Sequence, residues 1–96
     1  MTRVLVVDDS ALMRRVLTGI FAERAEFVVA VARDGLEAIA QLHAFKPDVV
    51  TLDIHMPGLD GLACLDRIML ERPCPVLMVS ALTEAGASQT LEAMAL

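Results

Sequence analysis

Apolar residues along the chain alternate between short uninterrupted runs and runs with helical spacing. Arg3–Val7 is apolar and β-branched and ends in Asp8-Asp9. Met13, Val16, Leu17 and Ile20 then recur at the i, i+3, i+4, i+7 spacing of one helix face, with Ser10 placed to cap its start. Phe27–Ala32 reads as a second strand, broken by Asp34 and Gly35. Leu36, Ile39 and Ala40 open a second helical face, which Pro47 stops. Asp48–Asp53 is a third strand, followed by the Pro- and Gly-containing loop Met56–Gly61. Leu62, Leu65 and Met69 mark a third helix, ended by Pro73 and Pro75, and Val76–Ser80 is a fourth strand. Thr83 can cap a last helix with Ala87, Leu91, Met94 and Ala95 on one face.

This is a βα unit repeated, and the strands are near-continuous apolar runs. Such runs suit a parallel sheet covered by helices on both faces, because each strand is then buried on two sides. The expected fold is therefore α/β, a doubly wound parallel sheet with right-handed crossovers. No linker or low-complexity segment interrupts it, so residues 1–96 are expected to form one domain. The Val76–Ser80 strand would leave a bare apolar edge in a sheet of four such units, and a bare edge invites pairing with another chain. Self-association through that edge is expected.

Composition narrows the function classes. Hydrophobic residues make up 56% of the chain, far too many for disorder. The longest uninterrupted apolar run, Phe27–Ala32, is much shorter than the ~18 residues of a membrane span, and no signal-peptide pattern opens the chain. No membrane insertion and a cytoplasmic location are the expectation. A net charge of −5, three Phe and no Trp or Tyr argue against a nucleic-acid surface. Cys64 and Cys74 have no C-x-x-C or histidine spacing and read as buried or half-buried thiols.

In parallel α/β sheets ligands bind at the carboxyl ends of the strands. Asp8 and Asp9 end the first strand and Asp53 ends the third. If those strands are neighbours, three carboxylates converge. Two like charges about 4 Å apart repel by about 4 kcal/mol at an effective dielectric of about 20, so the groups must hold protons or bind a cation. An all-oxygen set with room for water and phosphate suits Mg²⁺. Taken alone, Asp8-Asp9 reads equally well as a solvated helix-capping pair, and Asp53 as a loop residue. Their joint placement favours a metal site.

VLVVDDS at 4–10, LDIHMPGLDG at 52–61 and PVLMVSA at 75–81 resemble the receiver domains of bacterial response regulators. VDDSALMRRVL, MVSALTEAG and EAMAL resemble more narrowly the receivers of chemotaxis methylesterases. The resemblance implies a flavodoxin-like fold whose strand order, 2-1-3-4-5, comes with the family and not from periodicity. Four of the family's five βα units are represented here. It also implies roles. Asp53 would accept a phosphoryl group from a chemotaxis histidine kinase. Asp9 and Asp53 would bind Mg²⁺ directly, Asp8 through a metal-bound water, and His55 through its backbone carbonyl. Ser80 would hydrogen-bond a phosphoryl oxygen. The receiver itself would not be an enzyme, but it would regulate a protein-glutamate methylesterase/deamidase domain following it in the parent protein. The family's phosphate-pairing lysine on a fifth strand has no counterpart among these residues. The single lysine, Lys46, precedes Pro47 and is expected at the opposite end of the sheet.

Other residues read more blandly. His43 is expected on the surface, Arg14-Arg15 on a solvated helix face with a kinase-docking role as the alternative, and Gly58 and Gly61 in service of loop geometry. Met56, Met69, Met78 and Met94 suit packing. Two rival functions remain: a receiver-like interaction module that does not switch, and a small-molecule enzyme on the same fold. The second lacks a Gly-rich phosphate loop, since Asp8-Asp9-Ser10 stands where one would follow the first strand.

Overall fold

The structure, a computed structural model, describes residues 1–79. The end of the fourth predicted strand at Ser80, and the helix predicted after Thr83, lie outside the described residues. The elements run β1 (Thr2–Val7), α1 (Ala11–Ala22), β2 (Phe27–Ala32), α2 (Gly35–Ala44), β3 (Val49–Asp53), α3 (Gly61–Glu71) and β4 (Val76–Val79). All strand pairs are parallel and the sheet order is β2-β1-β3-β4. β4 is thus the outermost described strand on one side, with Leu77 59% exposed. β1 lies between β2 and β3, which brings the ends of the two Asp-bearing strands side by side.

Side-chain alternation divides the core between the two faces of the sheet. Leu5, Val7, Val50, Leu52 and Ala32 form one buried cluster with Ala38, Ile39 and Leu42 of α2 and Cys64 and Ile68 of α3. Val4, Val6 and Thr51, equally buried, alternate to the other side. There α1 packs on β1 and β2, and the Phe21 ring stands edge-on to Phe27 with centroids 5.4 Å apart. No described helix is long and apolar enough to cross a membrane.

Each of the three described helices follows a strand, α3 after the loop 54–60, and each is capped by a side chain from the intervening segment. Met13 N donates to Ser10 Oγ at 3.2 Å, Glu37 N to Asp34 Oδ1 at 2.8 Å and Ala63 N to Asp60 Oδ1 at 2.8 Å. Each cap satisfies one of the donors that a helix start leaves unpaired.

The helix faces differ from the predicted ones by one residue. In α1 the sheet-facing positions are 14, 17, 18 and 21, whereas Val16 and Ile20 of the predicted face are 45% and 56% exposed. In α2 the buried positions are Gly35, Ala38, Ile39 and Leu42, leaving Leu36 and Ala40 exposed. In α3 they are Gly61, Cys64 and Ile68, with Leu62 and Met69 outside. In α2 and α3 the cause is close approach at the helix starts. A Cβ on Gly35 would lie 2.5 Å from the Leu59 carbonyl oxygen, and one on Gly61 would strike the Asp53 carbonyl. Residues without side chains therefore face inward, and the larger Leu36 and Leu62 beside them turn outward.

The amino end of the sheet is closed by main-chain contacts. Arg3 N donates to Asp48 Oδ2 at 2.7 Å, Asp48 N to the Arg3 carbonyl at 2.8 Å and Arg72 Nη1 to the Pro47 carbonyl at 2.6 Å. Lys46 is exposed there, at the end of the sheet opposite Asp53 as predicted, and its φ of 53° is left-handed. That conformation costs a residue with a Cβ about 1–2 kcal/mol, part of which glycine gives back in chain entropy. Lys46→Gly is expected to raise stability by about 0.5–1 kcal/mol, read from the midpoint of urea unfolding.

Candidate metal centre

β1 ends in Asp8-Asp9 and β3 in Asp53, and the parallel pairing of Val7 with Leu52 sets the two ends level. Carboxylate oxygens of Asp8, Asp9 and Asp53 lie within 4.8 Å of one another. Asp8 and Asp53 are buried, at 1% and 2% exposure, while Asp9 opens to solvent. The convergence expected from the sequence is therefore present.

Local hydrogen bonds hold two of the three groups. Ser10 N donates to Asp8 Oδ1 at 2.9 Å and His55 N to Asp53 Oδ1 at 3.1 Å. Asp8 Oδ2 is buried with no protein partner, the one ionisable atom so placed among the described residues. An unpaired buried carboxylate oxygen is costly, and a cation held by the cluster would offset that cost. Donor type and number suit a hard divalent cation that keeps part of its water shell. The His55 imidazole is exposed, so its side chain adds nothing to this set.

Burial pushes the Asp53 carboxyl above its ordinary range. The His55 amide pulls the other way, and the neighbouring Asp8 and Asp9 carboxylates push it further up. The same groups that would attract a cation thus disfavour the ionised form when no cation is present.

The loop from Ile54 to Asp60 forms the far wall. Met56 is buried and anchors it, Gly58 turns with φ 76°, and Gly61 N closes it on the Ile54 carbonyl at 3.2 Å. Beside the carboxylates this loop shapes an open groove lined by Ile54, His55, Met56, Pro57, Asp60 and Leu62. Remaining chemistry-bearing residues lie elsewhere. His43 is exposed and meets Glu71 at 2.8 Å, and together with Arg67 it holds the Glu71 carboxyl below its usual range. The Cys64 thiol is buried and pushed up to about 11, and the half-buried Cys74 is also raised by burial. Neither is an activated nucleophile.

With that geometry in view, residues 4–96 match the family described as Response regulator receiver domain. The chain belongs to the response regulator receiver family. It is 62% identical over 96 residues to a protein-glutamate methylesterase/protein-glutamine glutaminase of Rhodospirillum rubrum, and 58% identical to one of Rhodopseudomonas palustris. In both, the match covers 100% of this chain and 26% of the relative, so the chain spans about a quarter of their length. Among solved structures it is similar to the response regulator domain of Thermotoga maritima CheB. That match has a TM-score of 0.81 and 50% identity, and covers 99% of this chain and 72% of the other. The chemotaxis protein CheY4 of Vibrio cholerae shares the fold at a TM-score of 0.78 and 29% identity, with 97% of this chain and 79% of that one covered. The receiver is thus of the CheB type.

Arg14 differs from the expectation of a solvated face shared with Arg15: it is half-buried, and its Nη1 donates to the Asp8 carbonyl at 2.7 Å. A signal existed in its spacing: Arg14, Leu17, Thr18 and Phe21 share one helical stripe. Ser80, the expected phosphoryl hydrogen-bond donor, lies outside the described residues.

Because the folded-state pKa of Asp53 is raised, its contribution to stability is full below the ordinary carboxylate range and is lost as pH rises through the folded value. Asp53→Asn is therefore expected to stabilise the metal-free protein at neutral pH, on the order of 1 kcal/mol. The gain should shrink as pH falls from neutral through the raised folded value, and be absent below the ordinary carboxylate value of about 4. Thermal unfolding in chelator across pH reads both. Gly61→Ala, whose new methyl meets the main chain of Asp53 and Ile54, is expected to cost about 1–3 kcal/mol and to weaken cation binding, measured by unfolding and by Mg²⁺ titration.

Proposed function

We propose that Asp53 is the phosphoacceptor of this receiver, in a reaction that depends on Mg²⁺ held by Asp9 and Asp53 directly, by Asp8 through water and by the His55 backbone carbonyl. The observation that carries this reading is the convergence of three carboxylates with a buried, unpartnered Asp8 oxygen. When bound, Mg²⁺ offsets the charge on the carboxylates and on the transferring group.

The chain's own residues do the rest. Asp53 needs no base, since an ionised carboxylate already carries the attacking lone pair. The His55 amide occupies one lone pair of Oδ1 and orients the group, leaving Oδ2 to attack. The P–N bond of a kinase phosphohistidine breaks as the P–O bond forms, and Ser80 supplies a hydroxyl donor to a phosphoryl oxygen. Burial of Asp53 limits the access of water to the acyl phosphate formed.

The similarity to methylesterase/glutaminase proteins, of which this chain spans about a quarter, supports a larger reading. The receiver would serve a cytoplasmic chemotaxis protein, take its phosphoryl group from a chemotaxis histidine kinase and regulate an attached methylesterase domain. Intact-mass measurement of the full-length protein with a small acyl phosphate and Mg²⁺ is expected to show one added phosphoryl. Asp53→Asn should remove it, and chelation should suppress it. A persisting adduct in the variant would sink the assignment, and a wild type that takes up no phosphoryl group would favour a non-switching interaction module.

A further inference from the structure

Arg14 stands out on the inward face of α1. It is half-buried and reaches back six residues to the Asp8 carbonyl, which its Nη1 meets at 2.7 Å. A helical side chain leans toward the helix start, so a residue in the second turn is placed to cover the loop before it. The carbonyl it finds needs a donor. Pairing of β1 with its neighbours ends at Val7, and although the Asp8 amide still bonds to Ala32, no main-chain amide among the described residues donates to the Asp8 carbonyl.

The position works against the helix itself. A cation near a helix start opposes the macrodipole, and the first turn of α1 carries no acid to compensate. What Arg14 meets is the main chain that carries two members of the carboxylate cluster. Its bond goes to the main chain, so no carboxylate oxygen is consumed. Asp8 is then tethered at three atoms: its amide donates to the Ala32 carbonyl at 3.1 Å, its Oδ1 accepts from Ser10 N at 2.9 Å, and its carbonyl accepts from Arg14. The third tether acts on the peptide group that joins Asp8 to Asp9, and hence on the direction of the exposed Asp9 side chain.

We propose that Arg14 is a positioning residue for the cation site: by holding the Asp8–Asp9 peptide group, its guanidinium keeps both carboxylates aimed at Asp53. This rests on the reading of the cluster as a Mg²⁺-dependent phosphoacceptor site.

Calorimetric titration of Mg²⁺ into the full-length protein tests it directly, with Arg14→Ala and Arg14→Lys against wild type. Arg14→Ala is expected to weaken Mg²⁺ binding about tenfold, the lower end of the effect of losing a partner behind a metal ligand, and Arg14→Lys to recover most of it. Phosphorylation of Arg14→Ala by a small acyl phosphate should be slow at limiting Mg²⁺ and near wild type at saturating Mg²⁺. A loss of packing alone would not be rescued that way. If Arg14→Ala does not fold, Arg14→Gln, a shorter neutral donor, carries the same comparison. Unchanged Mg²⁺ affinity in the folded variant, with normal binding by the wild type, overturns the role of Arg14 alone. A wild type that binds no Mg²⁺ overturns the phosphoacceptor reading with it.

Discussion

Three carboxylates crowded at the carboxyl end of a parallel sheet repel one another, and much of the surrounding structure manages that repulsion. Asp8, Asp9 and Asp53 bring ligand oxygens within 4.8 Å, with two of the three groups buried. Each potential ion pair of like sign costs kilocalories at that range, so the arrangement persists because β1 and β3 leave it no alternative. The segments Val4–Val7 and Val50–Leu52 are buried on both sheet faces, and their parallel pairing carries the acids at their ends together. Folding energy from the core is thereby held as electrostatic tension at the site, which a divalent cation can relieve.

The polar supports around the cluster are consistent with that tension. The Ser10 and His55 amides each take one carboxylate oxygen, and Arg14 takes the Asp8 carbonyl. None of these three bonds neutralises a carboxylate outright. A direct Arg–carboxylate pair would quiet the repulsion but would also occupy the oxygens that a cation needs. Asp8 Oδ2 is left buried and without a protein partner, which keeps an oxygen free for a cation.

Two glycines tie the helices to this end of the sheet. Gly61 abuts the main chain of Asp53 and Ile54, and Gly35 abuts Leu59 in the same loop. The loop is thus gripped between the starts of α2 and α3, while its own Gly58 supplies the left-handed turn. Close packing of backbone on backbone also rotated the helices relative to their apolar patterns. It put Leu36 and Leu62 outside and left Ala38 and Cys64 in the core.

Local features were legible in the sequence by itself. Strands β1 to β3 fell within a residue of their predicted limits, and β4 began where predicted, because apolar runs and the flanking Pro, Gly and Asp act over a few residues. Ser10 capped its helix as foreseen, since a cap needs only its neighbours. The family motifs marked Asp8, Asp9, Asp53 and the Pro-Gly loop. That β1 lies beside β3 is a long-range pairing that no periodicity contains; the family resemblance supplied it, and the sheet order agrees. Tertiary structure alone decided the rest. Which stripe of α2 and α3 faces inward depended on backbone contacts made at Gly35 and Gly61. Arg14 looked like a solvated charge because hydropathy ranks side chains by type, whereas its place was set by an unpaired carbonyl six residues away.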